Sequence, residues 1–183
     1  MSSRGFDPTR LDVELFAAEG GELEGRWPLR GFDRICQSAA QDSPPTDSDA
    51  VAWRARGERL TARRGEPVTW LHLGAEASVA LQCQRCLRAV QVPLAVRRKF
   101  SFVPGEDAAA AIDATVEDDV LAMTRALDLR ELIEDELLLA MPLVPRHDVC
   151  PVPLTAAENE DFEEERLNPF AVLAALKRSA PPG

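Results

Sequence analysis

Tyrosine is absent from this chain, and its 183 residues include only two lysines, two histidines and four cysteines, with no long apolar stretch anywhere. Each shortage excludes something. A helix that crosses a bilayer needs roughly 20 consecutive apolar residues, and none of the apolar runs approaches that. Met1 to Phe16 is interrupted by Arg4, Asp7, Arg10, Asp12 and Glu14, so the unbroken apolar stretch of a secretory signal is missing and a cytoplasmic protein without membrane association is expected. Four cysteines are too few for a disulfide scaffold, and in a reducing compartment patterned cysteines point to metal or redox chemistry. The nucleophile elbow, phosphate-binding loop, dinucleotide fingerprint and H-E-x-x-H motif are all missing, so no small-molecule substrate is expected. The excess of arginine over lysine, together with the lack of tyrosine, has the look of a GC-rich genome's codon bias rather than of selection for guanidinium.

What is present suits one α+β domain: 45% of residues are apolar, 28% are charged and the net charge is −10, a balance that can bury a core. Charge is unevenly spread. Residues 1–103 carry a balance of +2 and residues 104–183 one of −12, while Trp53 to Lys99 alone reaches +7.

The spacing of Leu11, Leu15 and Ala18 after Asp7-Pro8-Thr9 predicts a short helix closed by Gly20-Gly21. A strand follows at Leu23 to Leu29, confined by Pro28 to an edge or a strand end, and then a second short helical face made by Phe32, Ile35, Cys36 and Ala39. Cys36 is read as a small buried hydrophobe. Alternation predicts strands at Val51 to Gly57, Leu71 to Cys83 and Val90 to Phe102. The last two are separated by too few residues for a parallel crossover, so the sheet is expected to be antiparallel. Pro104 to Asp119 reads as an acidic, alanine-rich loop, followed by a short strand at Val120 to Ala126. Asp128, three residues before Glu131, opens a helix whose apolar face is Leu129, Leu132, Ile133, Leu137 and Ala140, and Pro142 stops it. Its carboxylates Glu131, Glu134, Asp135 and Glu136 read as a solvated face. The expected architecture is an antiparallel sheet covered by a few helices, with residues 1–157 as one domain and 158–183 as an acidic linker and a short C-terminal helix.

Cys83-Gln84-Arg85-Cys86 falls at the tight connection between the two best strands. His147 and Cys150, likewise separated by two residues (H-x2-C) and set among prolines, would complete a tetrahedral set for a structural zinc ion, a zinc knuckle with every position filled by protein. The competing reading is a zinc- or thiol-dependent enzyme that uses the C-x2-C pair. It is weakened because the redox form of that motif opens a helix, whereas strand continues here. Arg54, Arg56, Arg97 and Lys99 fall on outward strand positions and Arg85 and Arg88 at the hairpin tip, a set able to bind RNA phosphates if the strands are neighbours. Neutralisation by the acidic half is the alternative. In the tail, Phe170 and Leu173 fall on one side of a helix that either docks on the chain's own sheet or presents these residues to a partner.

Three segments in order, Leu81 to Leu87, Asp128 to Asp148 and Asn168 to Lys177, resemble the YceD family of bacterial large ribosomal RNA subunit accumulation proteins. The resemblance implies a role in synthesis, processing or stability of 23S rRNA, hence ribosome biogenesis, without enzymatic activity. The partners it suggests are pre-ribosomal large-subunit rRNA or ribosomal proteins, the latter attracted by the acidic half of the chain.

Overall fold

A computed structural model describes residues 5–61, 67–113 and 119–152. Five strands form one sheet in the order β1 (Glu22–Pro28), β2 (Ala50–Thr61), β3 (Pro67–Gln82), β4 (Ala89–Val103) and β5 (Asp119–Ala122). Each of the first four is antiparallel to its neighbour. The helices are α1 (Val13–Ala18), α2 (Asp33–Ser38), α3 (Glu106–Asp113) and α4 (Leu129–Leu139). No helix among the described residues is long and apolar enough to cross a membrane.

The period-2 alternation is realised in β2 and β3, where Val51, Trp53, Ala55, Leu71, Leu73 and Ala75 are buried while Arg54, Arg56 and Glu76 are exposed. The buried side of the sheet packs with Leu11, Val13 and Phe16 around α1, Phe32 and Ile35 at α2, and Leu129, Ile133 and Leu137 on α4 in one core. Each of these large apolar side chains contributes about 1.5 to 3 kcal/mol by leaving water. α1 lies directly over β2 at Gly57, where an added Cβ would stand 2.8 Å from the Ala17 backbone. Only glycine allows that approach.

Four expectations are corrected. The first helix is capped by Asp12, whose carboxylate accepts the Leu15 N–H, whereas Asp7 holds a turn through Thr9. Its buried face is therefore Val13, Phe16 and Ala17, while Leu15 and Ala18 are exposed. The segment 104–119 contains α3, because Ala108 to Ala111 follow Glu106 and Asp107: alanine is the best helix former and acidic residues suit a helix N-terminus. This crossover sets β5 parallel to β4, so the sheet is mixed at one edge. β5 also ends at Ala122, since the chain then turns to α1, where Leu11 and Leu127 exchange backbone hydrogen bonds of 2.8 and 2.9 Å.

The fourth correction concerns α4, whose carboxylates are not all solvated. Asp128 caps this helix by accepting from the Arg130 and Glu131 N–H groups, but Glu134 and Glu136 are buried. Glu134 accepts from the backbone N–H groups of Arg34 and Ile35 at 2.7 and 3.2 Å, supplying the N-terminal cap that Phe32 cannot give α2. The Arg34 guanidinium also binds Glu134 and Asp135. Arg98 breaks the apolar series of β4 for a related reason: its Nε donates to Glu136 at 2.8 Å. The predicted linker and C-terminal helix at 158–183, with Phe170 and Leu173, lie outside the described residues.

Candidate metal centre

Cys83 directly follows β3, and Cys86 lies three residues before β4 begins at Ala89. The turn between them is fastened at both ends. Cys83 N–H donates to the Arg88 carbonyl and Leu87 N–H donates to the Cys83 carbonyl, both at 2.9 Å. Leu87 takes φ 60°, a left-handed conformation that glycine adopts without strain.

After α4 the chain runs back over this hairpin. The Pro145 carbonyl accepts from Gln84 N–H at 2.9 Å, which places His147 and Cys150 beside the turn. The ligand atoms of Cys83, Cys86, His147 and Cys150 all lie within 4.8 Å of one another and could hold a metal ion. A zinc ion with Zn–S bonds of about 2.3 Å draws tetrahedral ligands to about 3.8 Å apart, so closure asks for small side-chain movements only.

The histidine is already oriented for ligation. Its Nε2 lies 3.0 Å from the Ala89 carbonyl oxygen. A carbonyl can only accept, so Nε2 carries the proton and the Nδ1 lone pair faces the cluster, accepting from the Cys86 thiol at 3.4 Å. A backbone carbonyl behind a ligating imidazole commonly fixes ring and tautomer in this way.

The thiols respond to their surroundings unequally. Burial opposes ionisation of Cys83, yet the backbone N–H groups of Cys86, His147 and Arg85 outweigh it and lower its pKa to about 5. Burial and the neighbouring Cys86 and Cys83 sulfurs push Cys150 up instead. A thiolate at Cys83 beside a Cys150 thiol that resists ionisation is a donor set lacking a cation, which a divalent metal would supply. Cys36 stays outside the cluster; it is half-buried, its sulfur 3.4 Å from the Leu29 carbonyl.

The basic residues divide into two groups. Arg54 and Arg97 stand across Gly74, and Arg56 and Lys99 across His72, on three adjacent strands. They line an open cleft of about 830 Å³ with Glu22 and Glu24 of β1. Arg85 and Arg88 lie at the far end of β3 and β4; eight residues separate Gly74 from Gln82, about 26 Å of strand. Arg85 lines a different cleft, with Pro145 and His147.

Sequence reasoning left His72 without a role. It sits in the middle of the basic cleft, with Nε2 2.7 Å from Glu58, and this hydrogen bond holds the Glu58 carboxyl below its usual range. The alternation of β3 would have placed it there, since His72 and Gly74 share the outward face.

Sheet, helices and cluster together define a small α+β protein whose β3–β4 hairpin carries a Cys3His cluster that could hold a metal ion. Residues 71–177 match the family model described as Large ribosomal RNA subunit accumulation protein YceD, and the chain belongs to that family. It is similar to the protein of that name from Haemophilus influenzae, with 36% identity over 111 residues, covering 56% of this chain and 62% of the relative. No solved structure matches it.

Proposed function

We propose that this chain is a noncatalytic, cytoplasmic ribosome-biogenesis factor that binds pre-ribosomal large-subunit RNA through the outer face of β2 to β4 and uses a structural zinc ion to hold its hairpin end. The family's link to large-subunit rRNA accumulation supports the pathway. The juxtaposition of Arg54, Arg56, Arg97 and Lys99 on neighbouring strands carries the RNA assignment, because converging cations on an otherwise acidic protein provide a local site for phosphates.

Cys83, Cys86, His147 and Cys150 would hold the zinc, which supplies folding energy by tying the loop after α4 to the β3–β4 turn. A thiol enzyme fits less well: Cys83, whose pKa falls furthest, is completely buried, and a nucleophilic thiolate must be reachable by substrate.

The test is binding of a large-subunit rRNA precursor across a salt series. Replacing Arg97 and Lys99 with Glu is expected to weaken affinity at least tenfold and to flatten the salt dependence. Equal affinity and slope for variant and native protein would refute an RNA interface on this face; RNA-independent capture of a ribosomal protein would assign the partner role to protein instead.

A further inference from the structure

Among the described residues, the face that carries these cations offers no open aromatic ring on which a base could stack. The single indole on it, Trp70, has the Lys99 ammonium 3.6 Å from its ring centroid, so that ring face is already occupied. The His72 imidazole is held by Glu58. Among the described residues no aromatic side chain is exposed: Phe6, Trp27 and Trp70 are half-buried and the others are buried.

The cations, by contrast, are well presented. Arg54 and Arg97 make no ion pair among the described residues, and Arg56 pairs with Glu58 at 3.6 Å. Neighbouring strands lie about 4.8 Å apart and residues two apart on a strand about 6.6 Å, so the four Cα positions form a rectangle roughly 10 by 7 Å. Its floor is partly bare. Gly74 has no side chain, and an added Cβ would meet Arg54 Nε at 3.1 Å, which shows that the guanidinium stem lies across the strand towards Arg97.

Single-stranded RNA is gripped chiefly by open aromatic rings on which unstacked bases lie, with guanidinium planes as secondary platforms, in addition to cations that follow the backbone. Helical RNA keeps its bases stacked inside and displays phosphates and 2′-hydroxyls. From the occupied Trp70 ring and the four presented cations, we propose that this face receives double-stranded RNA by its backbone and discriminates against single strands. Glu22 and Glu24, opposite Arg56 and Arg54 on β1, repel phosphate and confine its track to the β2 to β4 side. This proposal rests on the assignment of the face to RNA.

Fluorescence anisotropy with the full chain tests it, using an RNA duplex of about 20 base pairs, long enough to exceed the roughly 16 base pairs of a typical duplex-binding module, and an unstructured strand of equal length. The duplex is expected to bind at least tenfold more tightly, and a scrambled duplex within about twofold of the first, since backbone contacts carry no sequence information. Gly74→Glu, which sets a carboxylate amid the four cations, should cost duplex binding at least tenfold with the circular dichroism spectrum retained. If that variant fails to fold, Arg97→Glu serves the same purpose. A single strand that binds as well as the duplex would overturn the duplex preference while leaving the RNA face standing. Binding of neither probe would overturn both.

Discussion

Cys83 is where the metal assignment is most exposed to test. It is buried, it lies at the end of β3, and the backbone N–H groups around it favour the thiolate. Cys83→Ser is expected to abolish stoichiometric zinc and lower stability by at least about 3 kcal/mol, because the energy of a structural zinc site is folding energy. Metal analysis and thermal melting check both; native protein free of metal and indifferent to chelation would contradict the assignment. At Leu87 the expectation runs the other way. A left-handed non-glycine residue costs roughly 1 to 2 kcal/mol, whereas glycine adds about 0.5 to 1 kcal/mol of unfolded-state entropy, so Leu87→Gly should leave the melting temperature unchanged or raise it. Leu87→Val, β-branched in the same conformation, should lower it. The ligand set was readable because two pairs at x2 spacing stood out in a chain with few cysteines and histidines, and because a turn between strands brings C-x2-C thiols together. The left-handed Leu87 and the Ala89 carbonyl behind His147 have no local signature, since each depends on how the turn and the returning loop meet.

Pairs of elements lock through carboxylates that the sequence disguises. Glu134 caps α2 from a hundred residues away, and Glu136 holds Arg98 of β4. On a helix read by itself, Glu131, Glu134, Asp135 and Glu136 are equivalent solvated charges; only the positions of Arg34 and Arg98 make two of them interior. Glu134→Ala is expected to cost about 2 kcal/mol through the lost cap, roughly 4 to 8 °C in melting temperature, and Glu134→Gln, which keeps an acceptor, about half as much. The half-exposed Arg34 regains water, so its charge adds little to that loss. Strands β2 to β4 were legible for the opposite reason: period-2 alternation is local and survives in one sequence. α3 carries no broad apolar stripe to announce it, and the parallel placement of β5 follows from that helix.

At the scale of the molecule, the two proposed roles lie apart along the long β3–β4 hairpin, with the Cys3His cluster at one end and the cationic face about 26 Å of strand away. If, as proposed, the cluster stiffens and the face binds, the two should fail differently. Removing zinc is expected to lower stability and with it every activity, whereas charge reversal on the face should spare stability and remove RNA. The central claim, that this chain works by touching large-subunit rRNA through that face, is tested most directly by ultraviolet crosslinking in cells followed by identification of both the attached RNA and the attached peptide. The expected result is precursor large-subunit rRNA joined to peptides from β2, β3 or β4, lost when Arg97 and Lys99 are replaced by Glu. Crosslinks to protein alone, or to RNA only through peptides outside that face, would contradict it.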